Sequence, residues 1–134
     1  MFEVAGIDHI VLRTNNLEKM IEFYTKVLGC NIERETPPET GLTQLRAGSA
    51  LIDLVSVESR LGKVGGGPPT KTENNMDHFC LQIKSIPEKE LIAHLSAFNI
   101  ETGELSSRYG AQGFGNSIYI NDPDGNVVEL RNQL

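Results

Sequence analysis

Cysteine is scarce. Only Cys30 and Cys80 occur, with no C-x-x-C pair and no disulfide framework, so the chain needs no covalent staple and suits a reducing compartment. Long apolar runs are missing too, so no segment is expected to cross a bilayer. Met1-Phe2-Glu3-Val4 enters a strand pattern without a basic leader region, and the cytoplasm is the expected compartment. Lys and Arg are not clustered, and the formal charge is −6. A broad electrostatic surface for nucleic acid or an anionic membrane is therefore not expected, which leaves a small molecule as the partner.

What is present is punctuated, alternating sequence. Its 134 residues suffice for one compact unit or for two small modules sharing a sheet. Residues 7–13 alternate, with His9, Val11 and Arg13 on one face and Ile10 and Leu12 on the other, as in a strand. Asn15 or Asn16 can cap a helix whose stripe is Leu17, Met20, Ile21, Tyr24 and Leu28, ended by Gly29. Strands are expected over 31–35, 42–46 and 50–57, the last with Asp53 in its middle, where Asp is disfavoured. Residues 58–75 lose the pattern and include Gly65-Gly66-Gly67-Pro68-Pro69. They are expected to form a flexible linker, since no phosphate-binding ending follows the glycines.

The order then begins again. Met76-Asp77-His78-Phe79-Cys80-Leu81 repeats Ile7-Asp8-His9-Ile10-Val11-Leu12, with His78, Cys80 and Gln82 on one face; Cys80 is expected to be a small buried hydrophobe. A helix starting at Pro87 and carrying Leu91, Ile92, Leu95 and Phe98 follows, then a short strand near Ile100 and a glycine-rich stretch through Gly115. Asp122-Pro123-Asp124-Gly125-Asn126 should reverse the chain into a strand on which Val127, Glu129 and Arg131 share a face. Two copies of β-α-β-β-β, at about 5–57 and 76–133, thus account for nearly all of the chain.

Overlaying the copies puts His9 on His78 and Asp53 on Glu129. Two imidazoles and two carboxylates make a mixed nitrogen and oxygen set that suits one divalent ion such as Zn²⁺, Ni²⁺, Mn²⁺ or Fe²⁺. Arg13, Gln82 and Arg131 add polar lining on the same strand faces. The third histidine, His94, is expected at the surface.

The paired modules, the two Asp-His strand starts, Phe23-Tyr24 with Leu28-Gly29, and Asp122-Pro123-Asp124-Gly125-Asn126 leading to Glu129 resemble the vicinal-oxygen-chelate superfamily. The chain looks most like its small glyoxalase-domain members. The resemblance implies an α+β fold in which tandem β-α-β-β-β modules form a curved mixed-sheet cup, metal ligands at His9, His78 and Glu129, and a homodimer. Asp53 departs from the pattern, because glyoxalase I has Glu there; Asp is shorter by roughly 1.5 Å, which suggests a water-bridged contact.

The activity implied is that of a lactoylglutathione lyase, proton transfer through a metal-stabilised enediolate of a small oxygenated substrate such as a glutathione adduct. Glu129 is then the expected base and Asp53 its counterpart. Two alternatives carry different requirements. A fosfomycin-resistance-type thiol transferase needs a cationic pocket, to which Arg13, Arg108 and Arg131 would contribute. A bleomycin-resistance-like protein would sequester its ligand without metal.

Overall fold

The alternation of Ile10 and Leu12 with His9, Val11 and Arg13 on the opposite face produces β1 (His9–Thr14), the first element of a computed structural model that describes residues 1–133. Helix α1 (Leu17–Glu22) follows and continues as a π-helical turn over Phe23–Val27. The widened turn puts Phe23, Tyr24 and Val27 on the buried side beside Met20, and Gly29, with φ of 76°, ends it. Asn16 precedes the helix without a side-chain capping bond; instead its N–H is taken by Thr14 Oγ1 at 2.8 Å.

Three antiparallel strands come next: β2 (Asn31–Glu35), β3 (Leu42–Ala47) and β4 (Ala50–Ser56). β4 also pairs with β1, in parallel, so the sheet order is β1-β4-β3-β2. Leu12, Leu45, Ile52 and Leu54 lie on one face of that sheet and, with Met20 and Tyr24, form a closely packed core. Each such side chain stabilises the fold by about 1.5–3 kcal/mol through burial.

Residues 58–75 differ from the expected linker, for they contain helix α2 (Arg60–Lys63). Ser59 Oγ accepts from the Gly62 N–H at 3.1 Å and donates to the Ser56 carbonyl at 2.6 Å. A four-residue helix is too short to leave a periodic signal, and this one is held by contacts distant in sequence, including Arg13.

The chain divides into two units, Met1–Thr70 and one beginning at Lys71. The second contains β5 (Phe79–Ile83), α3 (Glu88–Ala97), β6 (Ser106–Gly110), β7 (Gly113–Asn121) and β8 (Val127–Asn132). Its sheet order, β5-β8-β7-β6, repeats that of the first unit, again with the outer first strand parallel to the last. The chain is therefore α+β, with the duplicated β-α-β-β-β order expected.

Three details of the second unit differ from expectation. No strand forms at Ile100, whose N–H closes the end of α3 on the Leu95 carbonyl at 3.0 Å. The glycine-rich stretch is instead the β6–β7 hairpin, with Gly110 opposite Gly113 and φ of 95° at Gly113, a conformation that favours glycine. On α3 only Leu91 and Leu95 are buried, whereas Ile92 and Phe98 are exposed. The closing turn forms as expected: Asp122 Oδ1 accepts the N–H groups of Asp124 and Asn126, both at 2.9 Å, and Gly125 has φ of 84°. Among the described residues no helix is long and apolar enough to cross a membrane.

Candidate metal centre

In the first unit, Val11 lies opposite Asp53 in the parallel pairing of β1 and β4, which puts His9 two residues earlier on the same face. The second unit has the same offset, because Cys80 lies opposite Glu129 and His78 stands two residues before Cys80. One register therefore sets both His–carboxylate pairs.

Each imidazole is oriented by the aspartate that precedes it. His9 Nδ1 lies 2.6 Å from Asp8 Oδ1, and His78 Nδ1 lies 2.6 Å from Asp77 Oδ2. An ionised carboxylate only accepts, so Nδ1 donates in both rings, and Nε2 is the nitrogen left to ligate a metal. The bond to Asp8 raises the pKa of His9; partial desolvation opposes the rise, and the charges of Asp53 and Asp8 assist it.

His78 Nε2 is 3.4 Å from Glu129 Oε2, and its ring meets Tyr119 edge-on with centroids 5.1 Å apart. Glu129 Oε1 accepts from Ser117 Oγ at 2.5 Å. Burial pushes the Glu129 pKa up, but hydrogen bonds from Ser117 and Cys80 and the charges of His78 and Arg131 outweigh it, leaving the net shift downward. The group is nearly inaccessible yet ionised, as a metal-ligating carboxylate must be.

Asp53 is equally buried but more loosely held. Gln44, opposite it on β3, brings Nε2 to 3.3 and 3.2 Å from its two oxygens. Among the described residues no three His, Cys, Asp or Glu side chains gather as a metal cluster; His78 and Glu129 lie together in the second unit, and in the first Asp53 acts on His9 through its charge. Within each unit the donor types, an imidazole nitrogen and a carboxylate oxygen, are ones that a divalent ion takes.

The other expected site residues are placed as follows. Arg13 donates to the Gly62 carbonyl at 3.3 and 3.0 Å and to the Gly66 carbonyl at 2.5 Å. Arg108 lies 4.5 Å from the Tyr119 ring centroid and donates to the Ser117 carbonyl at 2.5 Å and to Ser117 Oγ at 3.1 Å. Arg131 is buried, with Nη2 on the carbonyls of Arg108, Gly113 and Gly115 at 2.5, 3.4 and 3.2 Å. Gln82 is exposed opposite Arg131. His94 is exposed on α3, its ring against Phe98 at 5.2 Å.

Cys80 corrects an expectation, for it is exposed on the face shared with His78 and Glu129 rather than buried. Desolvation, then the Glu129 charge and a hydrogen bond to Glu129, push its thiol up to about 11, with Arg131 opposing. Gln44, Ser117 and Tyr119 went unremarked in the sequence because only strand register brings them to the carboxylates. The Asp-His dipeptide in both copies was the one visible signal for Asp8 and Asp77.

A duplicated β-α-β-β-β chain with a His–carboxylate pair at the same register in each half defines a class. The chain belongs to the Glyoxalase/Bleomycin resistance protein/Dioxygenase superfamily, which matches residues 6–130. It is 31% identical over 129 residues to Virulence protein STM3117 of Salmonella typhimurium, spanning 95% of this chain and 83% of that protein. It is 31% identical over 137 residues to Biphenyl-2,3-diol 1,2-dioxygenase 3 of Rhodococcus globerulus, covering 92% of this chain but only 60% of the dioxygenase. The solved structure of the fosfomycin resistance protein FosX from Listeria monocytogenes shares the fold, with a TM-score of 0.72 at 22% identity over 96% of this chain and 91% of that one.

Proposed function

We propose that the chain is a divalent-metal-dependent enzyme of the lactoylglutathione lyase type, moving a proton between neighbouring carbons of a small oxygenated substrate. The proposed ligands are His9, His78 and Glu129, with Asp53 as a fourth, water-bridged donor or as the proton carrier. The observation that carries this reading is the repeated Asp–His hydrogen bond, which engages Nδ1 in each half and turns Nε2 to other partners, Glu129 in the case of His78. The metal, when bound, supplies Lewis-acid stabilisation of negative charge on substrate oxygens.

The carboxylates divide the remaining work. Glu129 is anchored through Oε1 and suits the ligand role. Asp53, held only through the longer Gln44 contacts, is the freer group and suits proton transfer. This favours exchanging the order expected from sequence, which put Glu129 first as base.

A thiol transferase acting on an anionic antibiotic is supported less well. Its cationic pocket would draw on Arg13, Arg108 and Arg131, whose guanidinium groups are engaged by backbone carbonyls.

The test is elemental analysis after reconstitution with Zn²⁺, Ni²⁺, Mn²⁺ or Fe²⁺, on wild type and Glu129→Ala, followed by turnover of the glutathione–methylglyoxal adduct. About one ion per chain, lost in the variant, together with turnover is the expected result. Binding of none of these ions sinks the enzyme reading and leaves a ligand-sequestering protein. Sedimentation separately tests the homodimer that the family resemblance implies.

A further inference from the structure

Each half of the chain places an arginine on the outer strand beyond its carboxylate, and in each the two are linked through one polar side chain on the strand between. In the first unit Arg34 Nη1 on β2 donates to Gln44 Oε1 at 3.0 Å, and Gln44 Nε2 reaches both oxygens of Asp53. In the second, Arg108 Nη1 on β6 donates to Ser117 Oγ at 3.1 Å, and Ser117 Oγ donates to Glu129 Oε1 at 2.5 Å. The strands correspond: β2, β3 and β4 in one unit, β6, β7 and β8 in the other.

The polarity of both relays is forced. A guanidinium can only donate, and an ionised carboxylate can only accept. Gln44 must therefore turn its carbonyl to Arg34 and its NH₂ to Asp53. Likewise the Ser117 hydroxyl must accept from Arg108 and give its proton to Glu129. A middle residue that could freely reverse has one orientation left, and the carboxylate beyond it gains a fixed donor.

We propose that Arg34 and Arg108 are positioning residues, acting through Gln44 and Ser117 to hold Asp53 and Glu129 in one orientation toward the metal. In the second unit Ser117 occupies Oε1, so Glu129 is left to ligate through Oε2, the oxygen already facing His78 Nε2. The same arginine braces the other member of the pair, because Arg108 lies over the Tyr119 ring whose neighbour is His78. Arg108 thus supports the site from behind rather than contacting substrate. The inference rests on the metal reading above.

The test is Co²⁺ affinity by titration calorimetry, with the visible spectrum of the Co²⁺ protein as a second readout of coordination. Ser117→Ala and Arg108→Met should each weaken binding roughly 10- to 100-fold, the usual consequence of losing an outer partner of a ligand. Their visible spectra should change as Glu129 is freed to bind through both oxygens, while Ser117→Thr, which keeps the hydroxyl, should restore affinity and spectrum. Gln44→Met, which removes the donor facing Asp53 without adding a charge beside it, should perturb the spectrum. Wild-type affinity and spectrum in both Ser117→Ala and Gln44→Met would overturn the relay while leaving the metal reading intact. Failure of the wild type to bind Co²⁺ or Zn²⁺ would overturn both. Should Arg108→Met fail to fold, Ser117→Ala still decides.

Discussion

Glu129 faces His78 with one oxygen, at 3.4 Å, and gives the other to Ser117. The net effect of its surroundings is a pKa below the ordinary 4.5, despite the burial that pushes the other way. A carboxylate bound more weakly by protons in the folded state than in the unfolded state stabilises the fold above its unfolded pKa. That contribution disappears as the pH falls through the lower, folded value. The thermal midpoint of the metal-free protein should therefore fall on acidification below pH 4.5, and the fall should be shallower in Glu129→Gln. Identical acid profiles for the two proteins, measured by circular dichroism, would contradict this.

The Cys80 thiol should be slow to react although it is exposed. Its pKa of about 11, against 9.0 for an unperturbed thiol, cuts the thiolate fraction at neutral pH by roughly 100-fold. Desolvation is the largest cause, and the Glu129 charge is the next. Alkylation of metal-free protein by iodoacetamide should thus be slow in wild type and faster in Glu129→Gln, where that charge is gone. Peptide mapping distinguishes Cys80 from the buried Cys30.

Gly62 and Gly67 should respond oppositely to alanine. A Cβ at Gly62 would collide with the Ser56 carbonyl oxygen and come within 2.6 Å of the Val57 Cα, both backbone atoms that cannot step aside. Gly62→Ala should cost about 1–3 kcal/mol in urea denaturation. At Gly67 nothing lies within 4 Å, so Gly67→Ala should be neutral or stabilise by about 0.5 kcal/mol through the unfolded chain.

The parts of this fold that could be read from sequence were those with strong local periodicity. The alternation in β1, β4 and β8 and the helical stripe through Met20 and Tyr24 each report a buried face, and the histidines and carboxylates follow from their spacing along those strands. Helix α2 and β6 could not be read the same way. The first is a single turn held by Ser59 and Arg13, and the second hides in glycine-rich sequence whose pairing with β7 is not local. Cys80 shows the limit of composition: a thiol in an apolar run suggests a core position, but the face it takes is fixed by its register with Glu129. Gln44 and Ser117 are ordinary polar strand residues until the sheet sets them beside a carboxylate.

The two Asp–His hydrogen bonds lead to a prediction about both halves. Asp8 and Asp77 are largely exposed, so their bonds at 2.6 Å to His9 and His78 add little to fold stability. Their effect should instead fall on the imidazoles, where each holds the proton on Nδ1 and keeps Nε2 free. Asp8→Asn and Asp77→Asn should each leave the urea midpoint of the metal-free protein unchanged while lowering Zn²⁺ affinity by roughly tenfold. For His9 a further sign can be checked without metal. Its pKa is raised chiefly by Asp8, so Asp8→Asn should move its NMR titration down toward 6.5. If instead Zn²⁺ affinity is unchanged in both variants and the His9 titration does not move, the aspartates are solvated bystanders and the imidazoles are oriented by something else.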